Sequence, residues 1–574
     1  MVPEAPLSPS PDVSASGAGS PSFRLSPRAA VAIVLYGAVI LLPRLGTGRV
    51  LTTHESYFCE PAKEMVATGD WIVPRVAGVP CTFYPPGTHW SIALAMSITG
   101  RADEALLRIP SVLAGIATAL LIAALAARWF GNRVGLVAGL MELTTYHLLT
   151  QARLAESDML LAMTVCAAMG CFALANVPSP QGRVSARWLP WLFYLAAGAA
   201  FLIKALLGLA FIFSGCLAWA LLSRDWQGRQ WRAVRFLLNP VGLLVFLACV
   251  VGWSAAAYRH CPEYLEMQLI QNLGRFQGEL GGRKDPFFYG YSMLLLTLPW
   301  TPFVVWAVIQ AFRQRSYREP LWQFTACWVL PGLLLLSASS FKAKHYLVSL
   351  MPPLSILGAA GFLDLLDRRE RKGKLYYLLL AAAIAVGCSA GVVAVEWFQP
   401  DGAHVIAGLI GMVGAGLLAA TYLEYRGRLT SYLVAVFATG GAAAVVALSF
   451  VMPYHDSYRC HTEFAQRANA VLPAGTPLYL VGIREQQIVF YLRPPLVRVD
   501  DPKDLAELLP PDPGNFYAVG RQSLHSDLAK LGAVERLDRS VRVRQSAPED
   551  GHWALFKINR VPDRTAAAPA SQRQ

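Results

Sequence analysis

The sequence predicts an all-α polytopic membrane protein with a small α/β domain at its C-terminal end. Three observations carry this expectation. Apolar residues make up 55% of the 574 residues and charged residues only 15%, against about 25% charged in a typical soluble domain. Mean hydropathy is +0.41. Apolar runs of spanning length recur along most of the chain, while the last part switches to short alternating segments.

A membrane span needs roughly 17–25 mostly apolar residues, and about thirteen stretches qualify. They lie near residues 28–45, 104–127, 132–150, 157–176, 188–203, 205–223, 236–258, 287–311, 320–338, 345–365, 375–397, 402–424 and 429–452. The pair meeting at Lys204 is the hardest to divide. The stretch 88–99 is too short to cross and reads as an interfacial helix. Residues 1–25 form a tail rich in Pro, Ser, Gly and Ala, as expected of disorder, with no cleavable signal pattern.

The net charge of +13 does not point to nucleic acid. The basic residues sit in alternate short connections, as at Arg128 and Arg133, Arg183 and Arg187, Arg232 and Arg235, and Arg313, Arg315 and Arg318. That pattern places those connections, and the N-terminus, in the cytoplasm. An odd number of spans then puts the C-terminal domain, residues 454–562, on the outer side of the membrane, followed by a disordered tail at 563–574. In that domain the apolar runs Pro477–Gly482, Ile488–Leu492, Phe516–Gly520 and Trp553–Ile558 suggest the α/β pattern. The membrane body runs from 26 to 453, with two long outer loops at 46–103 and 259–286. Long loops with helix-like stretches are usually functional.

The ten cysteines show no CxxC pair and no zinc-ligand spacing. Cys59, Cys81, Cys261 and Cys460 fall on the outer side, where disulfides form. A Cys59–Cys81 bridge is one option.

Polar residues that can do chemistry gather at the outer ends of the spans. After the first span comes Thr53-His54-Glu55-Ser56-Tyr57. Glu55 can act as a general base there, or can simply complement a helix N-terminus. Between the third and fourth spans lies Arg153-Leu154-Ala155-Glu156-Ser157-Asp158-Met159, where Asp158 is either a second carboxylate of one site or a helix cap. Arg275 and the run Lys342-Ala343-Lys344-His345-Tyr346 offer cations and a phenol suited to a lipid phosphate. Snorkelling toward headgroups is their structural alternative.

One ordered set of motifs resembles a known family. The run Glu64-Met65-Val66-Ala67-Thr68-Gly69-Asp70-Trp71-Ile72-Val73-Pro74-Arg75 is followed by Gly78, Pro80 and Pro85-Pro86. Next come Arg108-Ile109-Pro110-Ser111, Arg153 to Leu160, Asn272 to Phe276, Asp285-Pro286-Phe287-Phe288-Tyr289 and Lys342 to Tyr346. The set is similar to that of the bacterial lipid A aminoarabinose transferases, relatives of the protein O-mannosyltransferases. The resemblance implies a GT-C type membrane glycosyltransferase that uses a polyprenyl-phosphate sugar, inverts the anomeric centre and glycosylates a lipid, glycan or protein acceptor. It assigns Glu55 the base or acceptor-orienting role with His54 assisting, and Asp158 the second acidic role. Arg275, Lys342 and Tyr346, with Tyr84, His345 and Arg153, would bind the donor phosphate.

The chain also departs from the family pattern. His54-Glu55 stands where Asp-Glu is usual, Phe83-Tyr84 where Glu-Lys is common, and Asn272 where a His often lies. A divalent metal is therefore disfavoured by Phe83 and Asn272. Two other classes remain open: a transporter or flippase of a lipid-linked sugar, and an inactive membrane scaffold.

Overall fold

The computed structural model describes residues 24–47, 49–81, 83–222, 228, 230–277, 285–368, 373–398, 403–452, 462–483, 486–493, 495–509, 514–539 and 553–560. The chain divides into two compact units. The first comprises residues 1–47, 70–73 and 82–453. The second comprises 48–69, 74–81 and 454–574. The outer loop expected at 46–103 is thus split: its first helix belongs with the C-terminal segment and not with the membrane body.

In chain order the helices are α1 (Pro27–Leu41), α2 (Thr53–Thr68), α3 (Gly87–Thr99), α4 (Glu104–Phe130), α5 (Asn132–Thr144), α6 (Tyr146–Gln151) and α7 (Ser157–Asn176). They continue as α8 (Leu189–Lys204), α9 (Leu206–Leu222), α10 (Trp231–Leu237), α11 (Pro240–His260), α12 (Pro262–Gln277), α13 (Phe288–Leu296) and α14 (Thr301–Arg313). Then follow α15 (Pro320–Ala338), α16 (Pro352–Asp367), α17 (Lys374–Phe398), α18 (Ala403–Tyr425) and α19 (Leu429–Val446). All but α2 lie in the first unit.

Among the described residues seven helices are long and apolar enough to cross a membrane, so this is a multi-pass membrane protein. Three shorter apolar helices, α1, α8 and α9, accompany them. Some predicted spans are broken. The stretch 132–150 divides into α5 and α6 at Thr145, whose backbone is extended. The stretch 287–311 divides into α13 and α14, bent by 112°. The break coincides with Pro299, which has no amide hydrogen to continue a helix. The chain at 88–99 is a helix of 13 residues, as its short apolar run suggests.

Local chemistry sets the helix starts. Ser26, Asp103 and Asn239 accept backbone N–H bonds at the starts of α1, α4 and α11. Proline occupies the first turn of α1, α8, α11, α14, α15 and α16, where its missing amide costs nothing. Small residues allow close packing within the body. At Gly135, where α5 crosses α4, a Cβ would sit 2.7 Å from the Ala123 carbonyl oxygen.

The second unit holds a two-stranded ribbon, β1 (Arg75–Val76) and β2 (Val79–Pro80), and a five-stranded mixed sheet. The sheet is built from β3 (Leu478–Val481), β4 (Leu496–Val499), β5 (Gly514–Arg521), β6 (Ala533–Arg539) and β7 (Trp553–Arg560), in the order β4-β3-β5-β7-β6. β3 pairs in parallel with β4 and β5, while β7 runs antiparallel to β5 and β6. Three of the four predicted apolar runs are strands. The fourth, Ile488–Leu492, is mostly helical, within α21 (Gln486–Tyr491), which follows α20 (Thr462–Val471). Cys59 and Cys81 are both buried in this unit as thiols.

The junction of α8 and α9 is set by Ala205, whose φ of 47° and ψ of −129° interrupt an otherwise apolar helical run. A residue with a Cβ is strained there. Ala205→Gly should raise the melting temperature of the detergent-solubilised protein, by a gain of about 1 kcal/mol. A lower melting temperature would refute the strain assigned to Ala205.

Candidate functional site

A buried polar cluster of the membrane unit forms where α7 begins and α8 ends. Asp158 lies in the first turn of α7, where the positive helix end favours a carboxylate. Lys204 is the last residue of α8. Its Nζ donates to Asp158 Oδ1 at 2.7 Å, and the two side chains are 5% and 1% exposed. The same ammonium stands 4.8 Å from the Tyr346 ring centroid and 5.8 Å from that of Tyr84, within the range where a cation is drawn to an aromatic face. One charge is therefore met by a carboxylate and two rings.

Tyr84 is positioned by tight backbone contacts. Its carbonyl accepts a 2.8 Å bond from Tyr264, whose hydroxyl in turn accepts from Gln268 Nε2 at 3.0 Å. Three residues on, Gly87 opens α3 against the end of α8, where a Cβ would lie 2.7 Å from the Leu202 carbonyl oxygen. Glycine is thus required for this loop to approach Lys204. Phe83 is half-buried beside it.

Tyr346 lies in a short 3₁₀ segment, Lys344–Ser349, with the His345 ring edge-on at 4.7 Å. Tyr289, fully buried near the start of α13, accepts a 3.1 Å bond from the Ala343 amide and so ties this segment down. His147 of α6 is buried against the backbone of Lys344 and His345, within electrostatic reach of Asp158. Among the described residues its Nε2 has no hydrogen-bond partner.

Two expected phosphate ligands hold backbone instead. Lys342 Nζ donates to the carbonyls of Ser337 and Ser339 at 2.8 and 2.7 Å, closing the C-terminal end of α15. Arg153 is 1% exposed. Its Nη1 donates to the carbonyls of Leu41 and Pro43, both at 2.9 Å, and its Nη2 to that of Arg44 at 3.2 Å. It anchors the exit of α1, a task shared by Arg108, whose Nη1 meets the Leu45 carbonyl at 2.8 Å. Arg153 thus serves as a main-chain anchor of the membrane unit. Arg275 and Asn272 fall on the backbone of α12, but their side chains lie outside the described residues.

Glu55 belongs to the second unit. It is fully buried and completes a capping box at the start of α2. Its Oε2 accepts from the Thr52 amide at 2.8 Å, and its own amide donates to Thr52 Oγ1 at 3.1 Å. His54 packs edge-on to Tyr57 and Phe58. The structural reading of Glu55 as a helix-start residue is therefore realised, and the carboxylate's orientation is fixed by it. Pro61 sits in the interior of α2, where it removes one main-chain bond.

The same helix carries a group that sequence reasoning missed. Glu60 is 5% exposed, and among the described residues its Oε2 has no hydrogen-bond partner. Lys63, at 3.6 Å, donates instead to the Phe490 carbonyl at 2.8 Å and stands over the Phe490 ring. Burial pushes the Glu60 carboxyl above its usual range, and the nearby Lys63 offsets only part of that. Lys204 and His147 were missed as well. The available signal was a single lysine inside a long apolar stretch, since ionisable groups at such places are usually functional. Among the described residues no three His, Cys, Asp or Glu side chains converge as a metal-ligand set.

A helical membrane body with this polar cluster at helix ends is the GT-C fold of membrane glycosyltransferases. It superposes on the crystal structure of ArnT from Cupriavidus metallidurans bound to undecaprenyl phosphate with a TM-score of 0.76, covering 94% of this chain and 99% of that one at 22% identity. Within that class the chain is similar to bacterial aminoarabinose transferases. It is 28% identical over 370 residues to the undecaprenyl phosphate-alpha-4-amino-4-deoxy-L-arabinose arabinosyl transferase of Edwardsiella ictaluri, spanning 64% of each chain. The corresponding enzyme of Aeromonas salmonicida is 25% identical over 421 residues, 71% of this chain and 75% of the relative. Residues 84–253 match the family model of dolichyl-phosphate-mannose-protein mannosyltransferases.

Two predictions follow from this geometry. Removing one partner of a buried ion pair strands the other charge, at a cost of about 3–5 kcal/mol. Asp158→Asn should therefore lower the melting temperature sharply, and the double variant Asp158→Asn/Lys204→Met should restore most of it. A double variant no more stable than the single one would show that the pair is not the coupled unit described.

The raised Glu60 carboxyl makes a pH-dependent claim. The folded protein holds this proton more tightly than the unfolded chain, so the stability it contributes is full below the unfolded range and is lost as pH rises through the folded value. Glu60→Gln should leave the melting temperature nearly unchanged near about pH 4 and raise it near about pH 8. Equal shifts at both would contradict the desolvated carboxylate.

Proposed function

We propose that this protein is an integral membrane glycosyltransferase that moves a sugar from a polyprenyl-phosphate donor to an envelope acceptor, with inversion at C1. The observation that carries the reading is the buried Asp158–Lys204 pair, bracketed by Tyr84 and Tyr346 at the end of α8. A desolvated ammonium held at a helix end is suited to a phosphate leaving group, because its charge is preorganised and weakly screened. The relatives named above support the donor class, since their names specify undecaprenyl phosphate as carrier.

In this reaction an acceptor oxygen attacks the sugar C1 as the bond from C1 to the phosphate oxygen breaks. The phosphate departs on the polyprenyl chain, its charge stabilised by Lys204 with the Tyr84 and Tyr346 hydroxyls nearby. A carboxylate takes the acceptor's proton. Glu55 is the candidate in the second unit and Asp158 the candidate in the membrane unit. Asp158 is ion-paired with Lys204, and its first task is to orient that ammonium. The N-terminus is cytoplasmic and the C-terminal domain external, on the strength of the basic connections. The acceptor is a lipid A-like lipid, a protein or a glycan of the envelope.

The test compares envelope lipids and glycoproteins by mass spectrometry in cells with and without the protein. A species heavier by one sugar should appear only with it. An unchanged profile would sink the transferase reading in favour of a carrier of lipid-linked sugar. Glu55→Gln keeps the capping geometry but loses the base, and should reduce transfer about 100-fold or more. Full activity of that variant would leave Asp158 as the base.

A further inference from the structure

The face opposite the site carries a second cluster of charge and apolar surface that the transfer reaction does not use. α9 leaves the Lys204 end of the membrane body and finishes at Leu222. At about 1.5 Å per residue its length approaches the hydrocarbon thickness. α11 starts back from Pro240. Between them α10 therefore lies at the opposite membrane boundary.

α10 is held rigidly on one side. Ala233 and Phe236 are buried, and Phe236 stacks edge-on to Phe172 and Phe193 at 5.6 and 5.4 Å. Tyr194 donates to the carbonyl of Leu237. The other side borders a cavity of about 550 Å³ lined by Gly228, Trp231, Arg232, Val234, Arg235 and Leu238. Trp231 is 60% exposed and Leu238 65%. Arg232 makes one long contact, 3.4 Å to the Gly228 carbonyl. Among the described residues neither Arg232 nor Arg235 forms an ion pair.

We infer that this cavity binds the headgroup of an anionic phospholipid. Two guanidiniums one turn apart on α10 match the oxygens of a phosphodiester. The exposed indole and leucine beside them suit the glycerol and first acyl carbons at the membrane boundary. A basic pocket beside helices at this face is the arrangement that selects anionic over zwitterionic lipid. The occupant is a membrane lipid and not free phosphate, because a soluble anion would leave the apolar half of the lining in water.

The purified full-length protein is exchanged into nanodiscs of phosphatidylglycerol or of phosphatidylcholine, and retained lipid is counted by native mass spectrometry after delipidation. Phosphatidylglycerol should be retained by the wild type, and Arg232→Gln/Arg235→Gln should lower that retention about tenfold. The control Arg313→Gln/Arg315→Gln removes the same charge from the cytoplasmic end of α14 and should retain lipid as the wild type does. Arg235→Gln alone, an exposed position, guards against misfolding of the double variant and should still lower retention severalfold. Equal retention in the Arg232 and Arg235 variants, equal retention of phosphatidylcholine, or release of the lipid by millimolar inorganic phosphate would each overturn the inference.

Discussion

A lysine ammonium has been taken out of water at the end of α8, and the surrounding membrane unit is arranged to make that tolerable. Desolvating such a charge costs several kcal/mol unless partners replace the lost hydration. Asp158 supplies the counter-charge, and Tyr84 and Tyr346 supply polarisable faces. Each partner is itself fixed from elsewhere. Asp158 rides on the start of α7, Tyr84 depends on the glycine contact between α3 and α8, and Tyr346 sits in a segment tied to Tyr289. The charge can remain buried only while all of these elements keep their positions.

Much of the architecture was legible because it follows from two periodicities and from charge placement. The long apolar runs at 157–176 and 320–338 are helices with those limits. β3, β5 and β7 coincide with short apolar runs. The errors have physical causes. β4 and β6 carry Arg498 or Glu535, Arg536 and Asp538 among their apolar residues, so neither looks apolar in isolation. The run at 488–492 is a helix because it packs on α2, which lies over four hundred residues away in sequence; Lys63 bonds the Phe490 carbonyl. Such tertiary contacts leave no local trace.

The site was only half legible. Asp158, Tyr84 and Tyr346 were singled out, yet the lysine that joins them was read as a problem in dividing two spans. Arg153 and Lys342 were read as donor-phosphate ligands; both also hold carbonyl oxygens, which a sequence does not display as polar groups. Glu55 shows a converse difficulty. A capping glutamate and a reactive one have the same residue and the same place at a helix start, and only the hydrogen bonds to Thr52 reveal the first role.

The clamp formed by Arg153 and Arg108 has a consequence for how the chain can change over time. Both guanidiniums donate to main-chain carbonyls of residues 41–45. Every amino acid offers the same carbonyl, so this stretch can mutate freely while its path stays constant. The two arginines themselves have no such freedom, because lysine cannot reach several divergent oxygens with one planar fork. Variation should therefore be tolerated along the held segment and resisted at the residues that hold it.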